Sequence, residues 1–98
     1  MIRKFPQGCG VLCRLAAVLA EAFAEAQGNS ISLYPSEVAK KAQVSQQVVG
    51  EIFRTLAERG YMECVKTERR MRCVVTRSSP LWSAEHEKIY NILDSIKT

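Results

Sequence analysis

Residues 44–60 read VSQQVVGEIFRTLAERG. Val44, Val48, Ile52 and Leu56 recur at every fourth position, with Val49 and Phe53 beside them, which makes one apolar stripe at helical period. Ser45 stands where an N-cap is needed, because its hydroxyl can accept an N–H of a first turn that has no partner inside the helix. Gly60 follows Arg59 where a left-handed residue ends a helix. The stretch therefore predicts a helix of about four turns. Its other face carries Ser45, Gln46, Gln47, Gly50, Glu51 and Arg54, polar and sparsely charged. A solvated helix face has the same composition, so the surroundings have to decide what this face is for.

Upstream, Tyr34-Pro35-Ser36 opens a short helix. Proline sets a helical φ at the first position, and Glu37 puts a carboxylate in the first turn, where the helix dipole favours it. Val38, Ala39 and Ala42 give this helix its apolar face, and Gln43-Val44 is a tight connection into the Ser45 cap. Two helices joined by a turn of this length are a helix-turn-helix, here residues 35–60. Downstream, Tyr61–Thr67 (YMECVKT) and Met71–Arg77 (MRCVVTR) read as two strands around the charged tip Glu68-Arg69-Arg70. Residues 61–77 are thus a basic hairpin.

The run SEVAKKAQVSQQVVGEIFRTLAERGYMECVKTERRMRCVVTR, residues 36–77, resembles the winged helix-turn-helix DNA-binding domains of small prokaryotic and archaeal transcription regulators, the MarR-like group among them. The likeness covers about Ile31 to Arg77, and its most specific part is LAERGYM followed by the basic hairpin, the wing. The resemblance implies that Val44, Val49, Phe53 and Leu56 are core. It places Ser45, Gln46, Gln47, Gly50 and Arg54 on the face that enters the major groove, with the wing on phosphate or a minor groove. Gln46 and Gln47 would contact bases, since Gln can bond adenine in a bidentate way. Ser45 and Arg54 would hold phosphates. Lys66, Arg69, Arg70 and Arg72 would track the backbone, and Lys40 and Lys41 would add contacts from the preceding helix. Gly50 and Glu51 depart from the pattern: one removes a side chain near the middle of the reading face, the other sets a carboxylate near phosphates.

Ninety-eight residues make one domain, 47% apolar and 24% charged, ordinary values for a globular chain. No apolar run reaches the length of a membrane span. The apolar residues 11–26 are interrupted by Arg14, Glu21 and Glu25, which argues against a signal peptide, and a cytoplasmic protein is expected. The net charge is +4. The local surplus is +3 over residues 61–77 and +1 over each of 1–30 and 31–60, with −1 over 78–98. A basic hairpin beside a helix-turn-helix suits a duplex backbone, which attracts cations by counterion release.

In chain order, residues 1–8 read as an extended arm from which Arg3 and Lys4 could touch DNA, although most basic N-terminal arms are simply mobile. Residues 10–27 predict a long first helix with Leu12, Leu15, Ala16, Leu19, Ala22, Phe23 and Ala26 as its main stripe, widened by Val11 and Val18. That breadth suggests a second partner. Ile31–Leu33 reads as a short strand flanking the hairpin. Ser78-Ser79-Pro80 breaks the chain, and residues 83–97 predict a last helix with Ser83 as its cap and Ile89, Ile92, Leu93 and Ile96 on one face. That seam either packs on the chain's own first helix or, with Leu12, Leu19 and Phe23, forms a homodimer interface. A two-fold dimer suits half-sites about 34 Å apart.

Cys64 and Cys73 fall opposite one another if Glu68-Arg69 is the loop and Thr67 pairs with Arg70, at a distance a disulfide can span. Cys9 and Cys13 lie four apart on one side of a helix start. Free thiols, a Cys64–Cys73 disulfide and a metal site all remain open readings. Reduced thiols are the general expectation in the cytosol, whereas intracellular disulfides occur in hyperthermophiles. The wide gap between Cys64 and Cys73 is unlike a zinc knuckle. A single His, with no Gly-rich phosphate loop and no paired carboxylates, gives catalysis little to stand on. The expectation is an α+β, mostly α, winged helix-turn-helix domain over residues 1–98. It would bind double-stranded DNA as a dimeric regulator, without enzyme activity, cofactor, metal or membrane partner. The alternative is a winged-helix module for protein–protein contact, since fold does not fix function. A ligand- or redox-responsive regulator is a third reading.

Overall fold

A computed structural model describes Phe5 and residues 8–96. Arg3 and Lys4 of the expected basic arm lie outside the described residues, as does residue 97 at the end of the expected last helix. The element order is α1 (Val11–Glu25), β1 (Ser30–Leu33), α2 (Pro35–Ala42), α3 (Gln46–Glu58), β2 (Glu63–Lys66), β3 (Met71–Thr76) and α4 (His86–Ile96). Helices dominate, and the strands form one antiparallel sheet in the order β1-β3-β2. Described residues hold no helix long and apolar enough to cross a membrane.

The helix ends follow from local chemistry. Ser45 caps α3, its hydroxyl accepting the Gln47 N–H at 3.2 Å. At the other end Gly60 has φ +84°. The Gly60 N–H donates to the Ala57 carbonyl at 3.1 Å and the Tyr61 N–H to the Leu56 carbonyl at 2.9 Å. This paired arrangement satisfies the last carbonyls of the helix and needs a left-handed residue at its centre. Gln43 does the same for α2 at φ 57°, with the Val44 N–H donating to the Ala39 carbonyl at 3.0 Å. The turn between α2 and α3 is therefore fixed by a backbone bond at one edge and by the Ser45 hydroxyl at the other. Two expected elements begin or end differently. Helix α1 stops at Glu25, short of Gln27, and α4 starts at His86. Ser83 accepts the Glu85 N–H at 3.0 Å and so closes a turn just ahead of that helix.

One core joins all layers. Leu15, Leu19 and Phe23 of α1, Val49, Phe53 and Leu56 of α3, Ile89 and Leu93 of α4, Leu81, and Cys73 and Val75 of β3 are buried together. The stripe on α3 is narrower than its four-residue repeat suggests. Val49, Phe53 and Leu56 are buried, while Val48 is 36% exposed and Ile52 half-buried at its flank. The first and last helices pack against each other within one chain, the first of the two readings of that seam. Leu19, Phe23, Ile89, Leu93 and Ile96 are buried in the monomer, so burial that a partner would supply is already supplied internally. Leu12 and Ile92 stay partly exposed.

Register places the cysteines. The Thr67 N–H donates to the Arg70 carbonyl at 2.8 Å, closing the hairpin, and Cys64 pairs with Cys73 across the ladder. Counting alternately from the hydrogen-bonded Thr67–Arg70 pair puts Cys64–Cys73 at a non-hydrogen-bonded position, where facing side chains come closest. The two form a disulfide, and Cys9 and Cys13 form a second. Among the described residues no cysteine is free and no cluster of ligands could hold a metal.

Candidate nucleic-acid interface

The exposed side of α3 and the tip of the β2–β3 hairpin face each other across a cleft of about 580 Å³. Gln46, Gly50 and Arg54 line it from α3, where spacings of four residues stack them on one flank. Lys66, Glu68, Arg69, Arg70 and Met71 line it from the hairpin, and Pro35 and Ser36 close it at the start of α2. The side-chain alternation of a strand explains which hairpin residues arrive. Lys66 pairs with Met71, two residues along from the inward Cys64–Cys73 pair, so both share the inner face. Arg72 pairs with Val65, which is 54% exposed, on the outer face.

The expected contact residues therefore divide. Gln46, Gly50, Arg54, Lys66, Arg69 and Arg70 are brought together. Arg72 lies on the other side of the sheet, as strand parity requires. Ser45 and Gln47 are exposed at the start of α3 but outside the cleft lining. Lys40 and Lys41, in the last turn of α2, are also outside it. Lys41 instead borders a hollow of about 130 Å³ between α1, β1 and α2, with Glu21, Glu25 and Glu37. Glu51 turns away from Gln46 and Arg54. It lines a groove of about 680 Å³ with Val11, Leu12, Val48, Ile52, Tyr90 and Asp94, so no carboxylate of α3 obstructs the cleft.

Among the described residues, three arginines have structural partners that composition alone did not reveal. Arg70 forms an ion pair with Glu37 in the first turn of α2, and its guanidinium lies 3.9 Å from the centre of the Tyr34 ring. Arg77 donates to the carbonyl of Gly28 at 2.9 Å and sits 4.7 Å over the Trp82 ring, which removes it from the basic surplus of the hairpin. Arg14 donates through Nε to the Ala42 carbonyl at 3.0 Å and through a terminal nitrogen to the Cys9 carbonyl at 3.0 Å. It ties α1 to the C-terminal end of α2, where a cation also opposes the helix dipole. Arg54, Lys66 and Arg69 have no ion pair among the described residues. They set the charge of the cleft, with Glu68 as its acidic member. On α4, away from the cleft, Lys88 has its pKa raised by the hydrogen bond to Glu85 at 2.8 Å.

Gly50 has a half-buried backbone, and a Cβ built on it would meet nothing within 4 Å. No internal contact requires glycine there, and its helix propensity is about 1 kcal/mol worse than alanine. The space it leaves opens into the cleft. No family model, curated protein or solved structure matches the chain.

Proposed function

We propose that the chain is a winged helix-turn-helix protein that binds double-stranded DNA, with α3 in the major groove and the β2–β3 hairpin as the wing. The observation that carries this reading is the cleft, with unpaired Arg54, Lys66 and Arg69 around the amide of Gln46 and the open space at Gly50. Cations of two elements that line one cleft suit the charges of a phosphate backbone. An amide on the helix between them suits a base edge. Gln46, rather than Gln47, is the base-reading residue in this geometry.

Substitution separates the two roles. Lys66→Ala and Arg69→Ala each weaken binding on all sequences and lower the salt dependence by about one unit of slope. Gln46→Ala leaves the salt slope in place and relaxes sequence preference. Equal binding by all three variants and the wild type would refute the assignment of the cleft.

A regulator of this kind acts most naturally as a two-fold dimer. The groove on the opposite flank of α3 supports a protein contact, since Val11 is 39% and Val48 36% exposed beside Tyr90 and Leu12. We propose this surface, not the α1–α4 seam, for a second copy. Light scattering on Val48→Glu checks it: a dimer that becomes a monomer supports the contact, and an unchanged mass refutes it.

A further inference from the structure

We infer that Glu37 occupies, in the free protein, the place of a DNA phosphate on Arg70, and that binding exchanges the carboxylate for the phosphate. This rests on the DNA-binding reading above. Arg70 is the one cation in the cleft lining that has an ion-pair partner among the described residues. Both side chains of the pair are about half exposed, 48% for Arg70 and 56% for Glu37. An incoming anion can reach them, and water already weakens the pair.

A guanidinium presents the same fork to a carboxylate and to a phosphate, so the exchange needs no new geometry at Arg70. Tyr34 under the guanidinium, 3.9 Å from its ring centre, holds the fork in place while its partner changes. Arg54, Lys66 and Arg69 line the same cleft. Their summed field favours a polyanion over one carboxylate. The released Glu37 is not stranded. It borders the hollow that also holds Lys41, one helical turn along at the favourable Glu-to-Lys spacing. Glu37 is therefore a positioning residue that keeps the hairpin tip against α2 and lowers affinity for every sequence alike.

The test is a fluorescence-anisotropy titration of a random-sequence duplex at several salt concentrations. It uses the wild type, Glu37→Gln, Arg70→Ala and the double variant, each checked for an unchanged thermal midpoint. Glu37→Gln should bind roughly 3- to 10-fold tighter near 0.1 M salt, with a salt slope little changed, because Arg70 meets a phosphate in both complexes. In the Arg70→Ala background most of that gain should vanish. Glu68→Gln, which removes an acid of the cleft that has no ion pair among the described residues, should show a gain that does not depend on Arg70. Unchanged or weaker binding by Glu37→Gln, or a gain that survives Arg70→Ala in full, would overturn the exchange. If the wild type binds no duplex even at low salt, the DNA reading itself fails and the exchange fails with it.

Discussion

Cys64 stands directly opposite Cys73 across the β2–β3 ladder, and the bond between them closes the hairpin that forms one wall of the cleft. A cross-link over this sequence separation of 9 restricts the unfolded chain by about 2–3 kcal/mol. Addition of a strong reductant should therefore lower the thermal midpoint, by roughly 8–20 °C for a domain of this size. The double variant Cys64→Ala/Cys73→Ala should melt below the oxidised wild type and respond less to reductant, which then reaches only Cys9–Cys13. A midpoint indifferent to reductant would show that the bond contributes nothing to stability.

Gly50 should behave in opposite ways toward stability and toward DNA. With open space where a Cβ would stand, Gly50→Ala should raise unfolding free energy by about 0.5–1 kcal/mol. The same methyl fills space that the cleft leaves for its partner, so DNA binding should weaken. Chemical denaturation and anisotropy titration read the two effects separately. A variant both more stable and equally tight in binding would remove the functional reason for glycine.

Arg14 should matter more than its place in an apolar helix suggests. Its half-buried guanidinium satisfies the Ala42 and Cys9 carbonyls at once. Arg14→Ala should cost about 1.5–3 kcal/mol, as lost charged hydrogen bonds do. Arg14→Lys should recover only part, because an ammonium lacks the planar fork. Denaturant midpoints of the two variants check both statements.

Gly60 should tolerate no branched side chain. Its φ of +84° lies in the left-handed region and centres the bonds that end α3. Gly60→Ala should destabilise by about 1 kcal/mol, and Gly60→Val by more, measured by the same denaturation. A neutral Gly60→Val would mean that the helix ends differently in solution.

Much of this architecture was legible in the residues, for reasons that are local. Ser45, Gly60 and Pro35 mark helix ends because capping and φ preferences act within one turn. The Glu68-Arg69 loop fixes the register that sets Cys64 against Cys73 because hairpin pairing follows from its turn. The same register already contains the outward position of Arg72, since strand side chains alternate. What was not legible is long-range. Arg14 meets Ala42 across 28 positions, Arg70 meets Glu37 across 33, and Arg77 meets Gly28 across 49. Periodicity says which face of a helix is apolar, not which distant element it will meet. The α1 and α4 stripes therefore read equally well as a dimer seam, and their burial against each other in one chain needed the fold. Charge counts have the same blind spot. They place a surplus on the hairpin without telling that Arg77 is tied to the end of α1 or that Arg70 already has a carboxylate.

DNA binding by this chain is tested by the affinity of the wild-type protein for a random-sequence duplex, followed by anisotropy from low to physiological salt. Binding is expected at low salt and should weaken steeply and linearly on a log–log plot. The slope should correspond to several phosphate contacts, at about 0.9 per contact. No binding at low salt, or binding indifferent to salt, would contradict it and leave the groove beside Val48 as the functional surface.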